Sequence, residues 1–464
     1  MLRYDVVIVG AGPSGIFAAM ELSQKTDLKI LLVDKGRDLG ERICNILERG
    51  KCLRCKPCNM LSGWGGAGAF SDGKLNYSLE SGGWLPEIVP KQRLLELMEY
   101  VDKTYLKYGA PTKIYEPDPD FFDYLKWKAR QTGLKLVYTR IRHMGSDGCK
   151  KVLLKMKKEL ERNVDIMLNT EVREVIVKEN KVRGVELADG KTVESKYVIL
   201  APGRGGAEWL KNNLTKIGVK LRVNPVDLGV RVEVPAEVME DLTSRLYEPK
   251  FIYYSKTFDD KVRTFCVNPY GEVIAEVYED IITVNGHSYE DKKTDNTNFA
   301  ILVSTKFTEP FEDPIAYGKY IARLANIISG GVIVQRLGDF LRGRRSTKDR
   351  IKRSIVEPTL KSATPGDLSF VLPYRYLVNV KEMLNALNKV VPGVYSDHTL
   401  LYGVEVKFYS LRVDVNEVLE TTNVRNLYCI GDGSGLTRGL VQASISGVIA
   451  ARSIIEREGY PKTS

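Results

Sequence analysis

The chain has 464 residues, 43% of them hydrophobic and 28% charged, and its 69 Lys plus Arg against 59 Asp plus Glu give a formal net charge of +10. This length predicts two domains, or one large domain with an insertion, and the composition excludes long disorder. No apolar run approaches the roughly 20 residues that span a bilayer, and no signal peptide is recognisable, so we expect a soluble, cytoplasmic protein. The positive charge favours an anionic partner.

The first predicted elements form a nucleotide-binding unit. Tyr4 to Gly10 has the pattern of a buried parallel strand, a helix follows the turn, and Lys29 to Asp34 forms a second strand. The turn matches G-x-G-x-x-G and contains Gly10, Gly12, Pro13, Ser14 and Gly15. Such glycines let backbone approach a pyrophosphate at a helix N-terminus, and Asp34, followed by Lys35, is placed to accept ribose hydroxyls. The motif predicts a dinucleotide site without deciding between NAD and FAD.

Residues 36 to 84 show almost no periodicity, so we predict a long functional loop region. It contains Cys44, Cys52, Cys55 and Cys58, spaced C-x7-C-x2-C-x2-C. The two-residue gaps let successive thiolates converge on one centre. Three interpretations stay open: a [4Fe–4S] cluster that relays electrons, a structural zinc ion, and thiols that are free or redox-active. The remaining Cys149, Cys266 and Cys429 lie on apolar faces and are predicted to be buried thiols.

The later parts of the chain differ in pattern. Residues 221 to 394 contain alternating segments that predict a mostly antiparallel layer. The final part returns to the first pattern, with a strand at Leu427 to Ile430, a Gly-Asp-Gly turn and a helix from Leu440 to Ile455. The two ends of the chain are therefore expected to fold together around the middle part.

Three segments resemble the motifs of the glutathione-reductase-like FAD/NAD(P)-binding superfamily. The glycine turn is the first, YVILAPG at 197–203 resembles the middle motif, and the segment at 422–432, an apolar strand that ends in Gly-Asp, resembles the second flavin motif. This resemblance implies that the cofactor is FAD and that the Asp binds its ribityl chain. It implies cofactor contacts from Ala201, Gly203, Gly431 and Asp432.

A closer resemblance covers most of the chain. It is carried by SGWGGAGAFSDGKL at 62–75, RHMGSD at 142–147, DLGVRVE at 227–233 and YGVEVKFYS at 402–410. These segments are similar to a poorly characterised family of FAD-dependent dehydrogenases of bacteria and archaea. The resemblance implies an α/β fold in which a Rossmann-type FAD-binding domain, residues 1–215 and 396–464, is interrupted by a mostly antiparallel β substrate domain, residues 216–395.

Further candidate residues are expected around the flavin. Gly65, Gly66 and Gly68 would let their loop run against the cofactor. The helix that starts at Leu440 would direct its N-terminus, with the amides of Gly439 and Leu440, toward the flavin edge that gains negative charge on reduction. The catalytic candidates are Lys74, Lys407, Tyr409 and Arg438. Each of these four could equally be a packed or solvated side chain.

We therefore expect an FAD-dependent oxidoreductase that moves hydride or electrons between an unidentified small molecule and an external carrier, because no second G-x-G-x-x-G between a predicted strand and a predicted helix is present for a nicotinamide domain. The basic run Arg342 to Arg353 has seven cations in twelve residues. It could bind an anionic substrate or an acidic carrier such as ferredoxin, or be a solvated face. Two other functions stay open, a flavin-dependent tRNA-modifying enzyme and a non-catalytic electron-transfer subunit of a complex. Nucleic acid is disfavoured because no aromatic residues are interleaved with the basic run.

Overall fold

The computed structural model describes residues 2–44, 53, 55–80, 82–278, 280–288, 293–308, 310–311 and 313–461. The strands are β1 Leu2–Val9, β2 Ile30–Val33, β3 Lys74–Asn76, β4 Leu134–Val137, β5 Ile141–His143, β6 Val164–Met167, β7 Val172–Lys178, β8 Lys181–Leu187, β9 Thr192–Leu200, β10 Leu221–Arg222, β11 Val226–Pro235, β12 Lys250–Tyr254, β13 Lys261–Asn268, β14 Glu272–Tyr278, β15 Ile281–His287, β16 Asn296–Thr305, β17 Ile333–Arg336, β18 Thr364–Pro365, β19 Leu400–Lys407, β20 Arg412–Val413 and β21 Leu427–Cys429. The α-helices are α1 Pro13–Lys25, α2 Lys91–Lys107, α3 Pro119–Arg130, α4 Gly145–Leu160, α5 Ala207–Lys216, α6 Ala236–Thr243, α7 Pro314–Ser329, α8 Leu337–Leu341, α9 Lys348–Lys352, α10 Tyr374–Asn388 and α11 Leu440–Arg457. None of the helices in these ranges combines the length and the hydropathy needed to cross a bilayer.

The chain divides into two compact units. The first comprises residues 1–114, 140–222 and 410–464, and the second comprises residues 115–139 and 223–409. Residues 115–139 lie within the first segment, residues 1–215, of the FAD-binding domain predicted from the sequence. They belong instead to the second unit because β4 pairs with β12 at the edge of its sheet. A four-residue strand carries no sequence signal for a partner so far along the chain.

The sheet of the first unit has the strand order β6-β2-β1-β9-β8-β7, and β21 also pairs with β9. β1 runs parallel to β2 and β9, and its apolar sequence is typical of a strand buried on both faces. α1 and α11 pack closely, since a Cβ at Gly447 would lie 2.1 Å from the Ser14 carbonyl oxygen. Because β1, β9 and β21 pair in parallel, their carboxyl ends meet at one edge of the sheet. Rossmann-like folds bind ligands at this edge. The predicted mixed α/β fold with a Rossmann-like domain is confirmed.

The sheet of the second unit has eight strands in the order β18-β17-β19-β11-β16-β13-β12-β4. Its neighbouring strands are antiparallel, except that β17 and β18 are parallel. Side chains alternate across a strand, so β11 presents Val226, Leu228 and Val230 to an apolar core that also contains residues of α3, α6, α7 and α10. Its other row contains Asp227, Arg231 and Glu233, and all three side chains are buried. We call this second row, together with the polar side chains packed around it, the polar face. The added side chains are those of Arg263, Tyr402, Glu405, Lys407 and Tyr409.

Candidate functional site

The turn after β1 has the geometry of a phosphate cradle. Gly10 has a φ of +113°, and a Cβ there would lie 2.1 Å from the carbonyl oxygen of Ala201. At Gly15 a Cβ would lie 1.9 Å from the Gly10 carbonyl oxygen, whereas a Cβ at Gly12 would meet no atom within 4 Å. Gly10 and Gly15 are therefore required by the turn itself. Gly12 leaves open space at the start of α1, where the amides and the helix dipole stabilise an anion.

Asp34, which follows β2, ties this turn to the glycine-rich loop. One carboxylate oxygen accepts the Ala11 amide at 2.8 Å, and the other accepts the amides of Gly36 and Gly63, both at 2.7 Å. A carboxylate offers about four lone-pair positions, so three amides leave one for a further donor such as a ribose hydroxyl. The ribose contact stays a prediction. The structure shows in addition that Asp34 joins the turn after β1 to the glycine-rich loop through these amide hydrogen bonds.

The glycine-rich loop lies directly against the turn. The Gly65 amide donates to the Ala11 carbonyl oxygen at 2.8 Å. A Cβ at Gly66 would approach the Gly12 Cα to 3.1 Å, and one at Gly68 would approach the Leu440 side chain to 2.8 Å. The structure therefore brings the turn, the loop and the start of α11 together, with little room for side chains between them.

Arg42 fixes the loop to the segment that follows the cysteines. Its guanidinium donates to the carbonyl oxygens of Asn59, Met60, Trp64 and Gly66 at 2.8, 3.0, 2.6 and 2.8 Å. Burial lowers the pKa of Arg42 to about 10, with the nearby Asp34 carboxylate opposing this effect. One buried cation thus sets the backbone course of residues 59–66. No motif in the sequence marks Arg42, because its acceptors are backbone atoms.

The cysteines proposed as metal ligands are only partly described. Cys44 is half-buried and Cys55 and Cys58 are exposed, whereas Cys52 lies outside the described residues. In the part of the chain that the structure covers, no group of three or more His, Cys, Asp or Glu side chains could hold a metal ion. The iron–sulfur and zinc interpretations therefore rest on the spacing of the cysteines alone.

The turn after β21 packs against the start of α1 and the end of β9. A Cβ at Gly431 would lie 2.5 Å from Ser14 Oγ, and one at Gly433 would lie 2.4 Å from the Gly203 carbonyl oxygen. Both glycines are therefore needed for these approaches. The three motifs of the superfamily resemblance meet at the carboxyl ends of their strands.

Asp432 is the acidic group of this turn. Its carboxylate accepts the Thr437 hydroxyl at 2.8 Å and the Gly439 amide at 3.3 Å. Burial raises the pKa of the Asp432 carboxyl, and the charges of Arg204 and Arg438 oppose that rise. Arg204 was not among the sequence candidates, although it directly follows the YVILAPG segment. A partly desolvated carboxylate beside two arginines is suited to bind hydroxyl groups.

The cradle fits FAD. A Cβ at Gly203 or Gly439 would meet no atom within 4 Å, as at Gly12, so space is left beside the backbone at all three motif turns. The start of α1 would hold the pyrophosphate, and Asp432 would accept ribityl hydroxyls. The loop at Gly65 to Gly68 would border the cofactor.

The polar candidates of the first unit already have partners. Lys74 lies on β3 opposite His143 of β5 and contacts Asp72 at 3.0 Å. The backbone amide of Arg438 donates to the Gly82 carbonyl oxygen at 2.5 Å. Lys35 lies 3.9 Å from Glu171, a weak surface ion pair. These contacts position the side chains of Lys74 and Lys35 and the backbone of Arg438, and they assign none of the three residues a catalytic role.

Lys407 and Tyr409, the other two catalytic candidates, belong to the second unit. Next to Lys407 on the polar face, Arg231 and Glu405 form a bidentate ion pair with two contacts of 2.8 Å, and both side chains are 0% exposed. Arg231 also donates to the Cys266 carbonyl oxygen at 2.8 Å. A pair sealed from solvent holds strands together and cannot meet a substrate.

One end of the polar face is partly open. The Tyr409 hydroxyl donates to Asp227 at 2.5 Å, and Arg263 donates to the same carboxylate at 2.6 Å. Burial alone would raise the pKa of Asp227, but the Arg263 charge and the hydrogen bonds hold it below its ordinary value. The Lys407 ammonium lies 3.2 Å from Glu405, and the side chains of Lys407 and Arg263 are 12% and 19% exposed. Among the described residues of this face, Lys407, Arg263 and Tyr409 are the ones whose side chains are not fully buried.

Glu233 continues the polar face and contacts no cation within the described residues. It is 0% exposed and accepts hydrogen bonds from the hydroxyls of Tyr402 and Thr359. Burial raises the pKa of the Glu233 carboxyl, and the two hydroxyl donors only partly offset the effect.

We expect Glu233→Gln to stabilise the protein at alkaline pH. A carboxyl whose pKa is raised on folding contributes stability below its ordinary pKa, and this contribution is lost as the pH rises through the raised value. The glutamine has no charge to bury, so its Tm should exceed the wild-type Tm by about 2–4 °C at pH 8 and lose that advantage at pH 4. Thermal unfolding across this pH range measures the difference, with exposed Glu237→Gln as the control. A constant difference at all pH values would contradict the assignment.

Comparison with known protein families gives three matches. Residues 225–408 match the family described as FAD-dependent protein, C-terminal domain-like. Residues 8–56 match the NAD(P)-binding Rossmann-like domain, and residues 149–223 match glucose inhibited division protein A. The first match covers β11 to β19 and the polar face except Tyr409, and the second covers the glycine turn and Asp34.

Individual relatives are distant. An uncharacterized protein of Clostridium beijerinckii is 27% identical over 98% of this chain and 81% of its own length. Digeranylgeranylglycerophospholipid reductase 1 of Methanococcoides burtonii is 28% identical over 43% of this chain, which spans only 38% of that reductase. Among solved structures, L-proline dehydrogenase from P. horikoshii is 12% identical with a TM-score of 0.40, covering 99% of this chain and 95% of that one. Because this TM-score is low, the similarity to the dehydrogenase assigns no role to any residue of the present chain.

Proposed function

We propose that this chain, an FAD-dependent oxidoreductase by its family matches and its cofactor cradle, oxidises or reduces an anionic small molecule and exchanges electrons with an external carrier. The observation that carries this proposal is the convergence of three glycine turns around open space in the first unit. The second unit separately provides the polar face. FAD, when bound, supplies hydride and electron transfer. The protein supplies binding, orientation and charge.

In the first unit the residues act on the cofactor's charged and polar parts. The amides at the start of α1 bind the pyrophosphate, and Asp34 keeps the turn and the glycine-rich loop in register through its three amide contacts. Asp432 accepts ribityl hydroxyls. The N-terminus of α11, with the amides of Gly439 and Leu440, would face the ring system and would stabilise negative charge on it.

In the second unit the open end of the polar face binds the substrate. Arg263 and Lys407 supply positive charge, and the Arg263 guanidinium lies 4.7 Å from the centre of the Phe265 ring, which also offers an apolar surface. The Tyr409 hydroxyl, held between Asp227 and Arg263, is placed to exchange a proton with a bound molecule. This arrangement favours a substrate that carries a carboxylate or phosphate group.

The purified protein tests the proposal directly. A yellow flavin spectrum, release of FAD on denaturation and anaerobic bleaching by a carboxylate- or phosphate-bearing compound are the expected results. Lys407→Met should raise the KM for that compound by about tenfold and Lys407→Arg should restore it, with kcat less affected. Absence of flavin, or bleaching by neutral compounds alone, would overturn the proposal.

The metal question has its own measurement. A four-thiolate site formed by Cys44, Cys52, Cys55 and Cys58 would hold a [4Fe–4S] cluster or zinc, the cluster offering a route for electrons and the zinc a rigid loop. Metal analysis and an anaerobic absorption spectrum separate iron–sulfur, zinc and metal-free protein. Cys52→Ser should abolish a bound metal, and protein without iron or zinc would leave the thiols as free groups.

A tRNA-modifying flavoenzyme is the second candidate. The match to glucose inhibited division protein A favours it, although the matched residues 149–223 belong to the cofactor-binding unit. Retention of tRNA on a filter at 150 mM salt would support this candidate. The third reading, a non-catalytic electron-transfer subunit, predicts a stoichiometric partner in the purified material.

A further inference from the structure

The basic run found in the sequence forms a compact surface in the second unit. It begins directly after α8 and comprises the following loop, α9 and Arg353, and its seven Lys and Arg side chains are exposed or half-buried. We call residues 342–353 the basic surface. The basic surface contains no residue of the polar face and no residue of the glycine turns.

A buried carboxylate fixes part of this surface. Asp339 is 1% exposed and accepts Arg344 at 2.8 Å, while Arg350 lies 3.9 Å away. Burial alone would raise the pKa of Asp339, but the hydrogen bonds from Arg344 and Ser346 and the charges of Arg336 and Arg344 hold it below its ordinary value. Arg342 is held by Asp397 at 2.8 Å. The arginines are therefore positioned before any partner arrives, which reduces the entropy lost on binding.

Positive charge remains in excess after this pairing. The seven cations of the run face three carboxylates, those of Asp339, Asp349 and Asp397. Within the described residues, no ion pair involves Arg345, Lys348 or Lys352, and all three are exposed. Ile355 at the border is 76% exposed and offers an apolar anchor. Excess charge around an apolar contact is typical of a protein-docking surface.

We propose that the basic surface docks an acidic one-electron carrier protein of the iron–sulfur class. This inference rests on the proposed function, because it names the carrier with which the enzyme exchanges electrons. Each two-electron oxidation of a substrate reduces two carrier molecules, whose oxidised iron–sulfur centres are the acceptors. Nucleic acid fits less well, because the run contains no aromatic residue for base stacking.

Binding of the flavin-loaded protein to a purified acidic [2Fe–2S] ferredoxin, measured by biolayer interferometry, tests the proposal. We expect measurable binding at 50 mM salt that weakens about tenfold or more at 300 mM. Arg345→Glu/Lys348→Glu/Lys352→Glu should weaken binding by about tenfold or more, since like charges repel across the interface. The matched control, Lys256→Glu/Lys261→Glu/Lys381→Glu, changes the net charge equally at other exposed positions of the same unit.

A second readout needs no substrate. After photoreduction of the enzyme under anaerobic conditions, oxidation by ferredoxin should slow in the first triple variant and remain unchanged with a small neutral dye. Equal losses in both triple variants, or no ferredoxin binding at 50 mM salt, would overturn the proposal. Binding of tRNA that depends on the same three residues, without ferredoxin binding, would overturn it in favour of nucleic acid. Protein without FAD would instead refute the proposed function, while its ferredoxin binding could still be measured.

Discussion

Gly12→Val should produce a folded protein that no longer retains FAD. A Cβ at this position meets no protein atom within 4 Å, and the Gly12 backbone, with φ −81° and ψ −179°, is extended and open to any residue. The added side chain would occupy the space through which a pyrophosphate approaches the first turn of α1. We expect FAD affinity to fall by at least about a hundredfold, which corresponds to about 2.7 kcal/mol.

Gly15→Val is the informative comparison, because here the glycine serves the protein itself. Its Cβ would lie 1.9 Å from the Gly10 carbonyl oxygen, so α1 would have to move away from β1. We expect this variant to be insoluble or unfolded. For Gly12→Val, circular dichroism and thermal unfolding without cofactor should match the apo wild type, and fluorescence titration with FAD measures the affinity. Wild-type affinity in Gly12→Val would refute the assigned cradle.

The contrast between these two glycines shows what the motif predicts. The spacing G-x-G-x-x-G, followed by a helix and a second strand, is a local pattern that identified the Rossmann-like unit. Gly10 and Gly15 meet nearby steric constraints, whereas Gly12 leaves space for a ligand. Asp34 was recognisable for the same reason. Its contacts to Gly36 and Gly63 could not be read from the sequence, since they depend on how a loop without periodicity folds back.

Arg42 and residues 115–139 illustrate the limit of local patterns. The four acceptors of Arg42 are backbone carbonyls, which every residue possesses, so no residue type at those positions indicates the contact. β4 joins the second unit through pairing with β12, and such long-range register is set by the whole sheet. The cysteine spacing is a sequence pattern without structural evidence for or against it, because Cys52 lies outside the described residues.

The alternation of apolar and polar residues predicted the strands of the second unit. The polar residues of this alternation are informative as well as the apolar ones. DLGVRVE and YGVEVKFYS place charged residues at even spacings, at 227, 231 and 233 of β11 and at 405 and 407 of β19. Pairing of these strands joins the two sets into the polar face. Sequence alone allows such residues to lie on a solvated side. In the structure the Arg231 and Glu405 side chains are fully buried, which makes them a determinant of the unit's stability.

Arg231→Met should destabilise the second unit by about 3–5 kcal/mol, because removal of one partner leaves a buried carboxylate without its bidentate cation. Lys407 contacts Glu405 at 3.2 Å and will partly compensate, so we expect the lower end of this range. Arg231→Met/Glu405→Gln removes both charges and should recover much of the loss. Chemical unfolding of apo protein measures these differences, and hydrogen exchange in β11 and β19 locates them.

Arg342→Met provides the matched control for this cycle. Its partner Asp397 is about half exposed, and a surface pair of this kind contributes about 0–1 kcal/mol. Equal stabilities of Arg231→Met and the double variant would show that Glu405 tolerates the loss of Arg231. Recovery in the double variant would establish that the buried charge of Glu405, rather than the packing of the arginine stem, makes Arg231 necessary. Any loss of substrate binding in the double variant could then be assigned to the polar face rather than to unfolding.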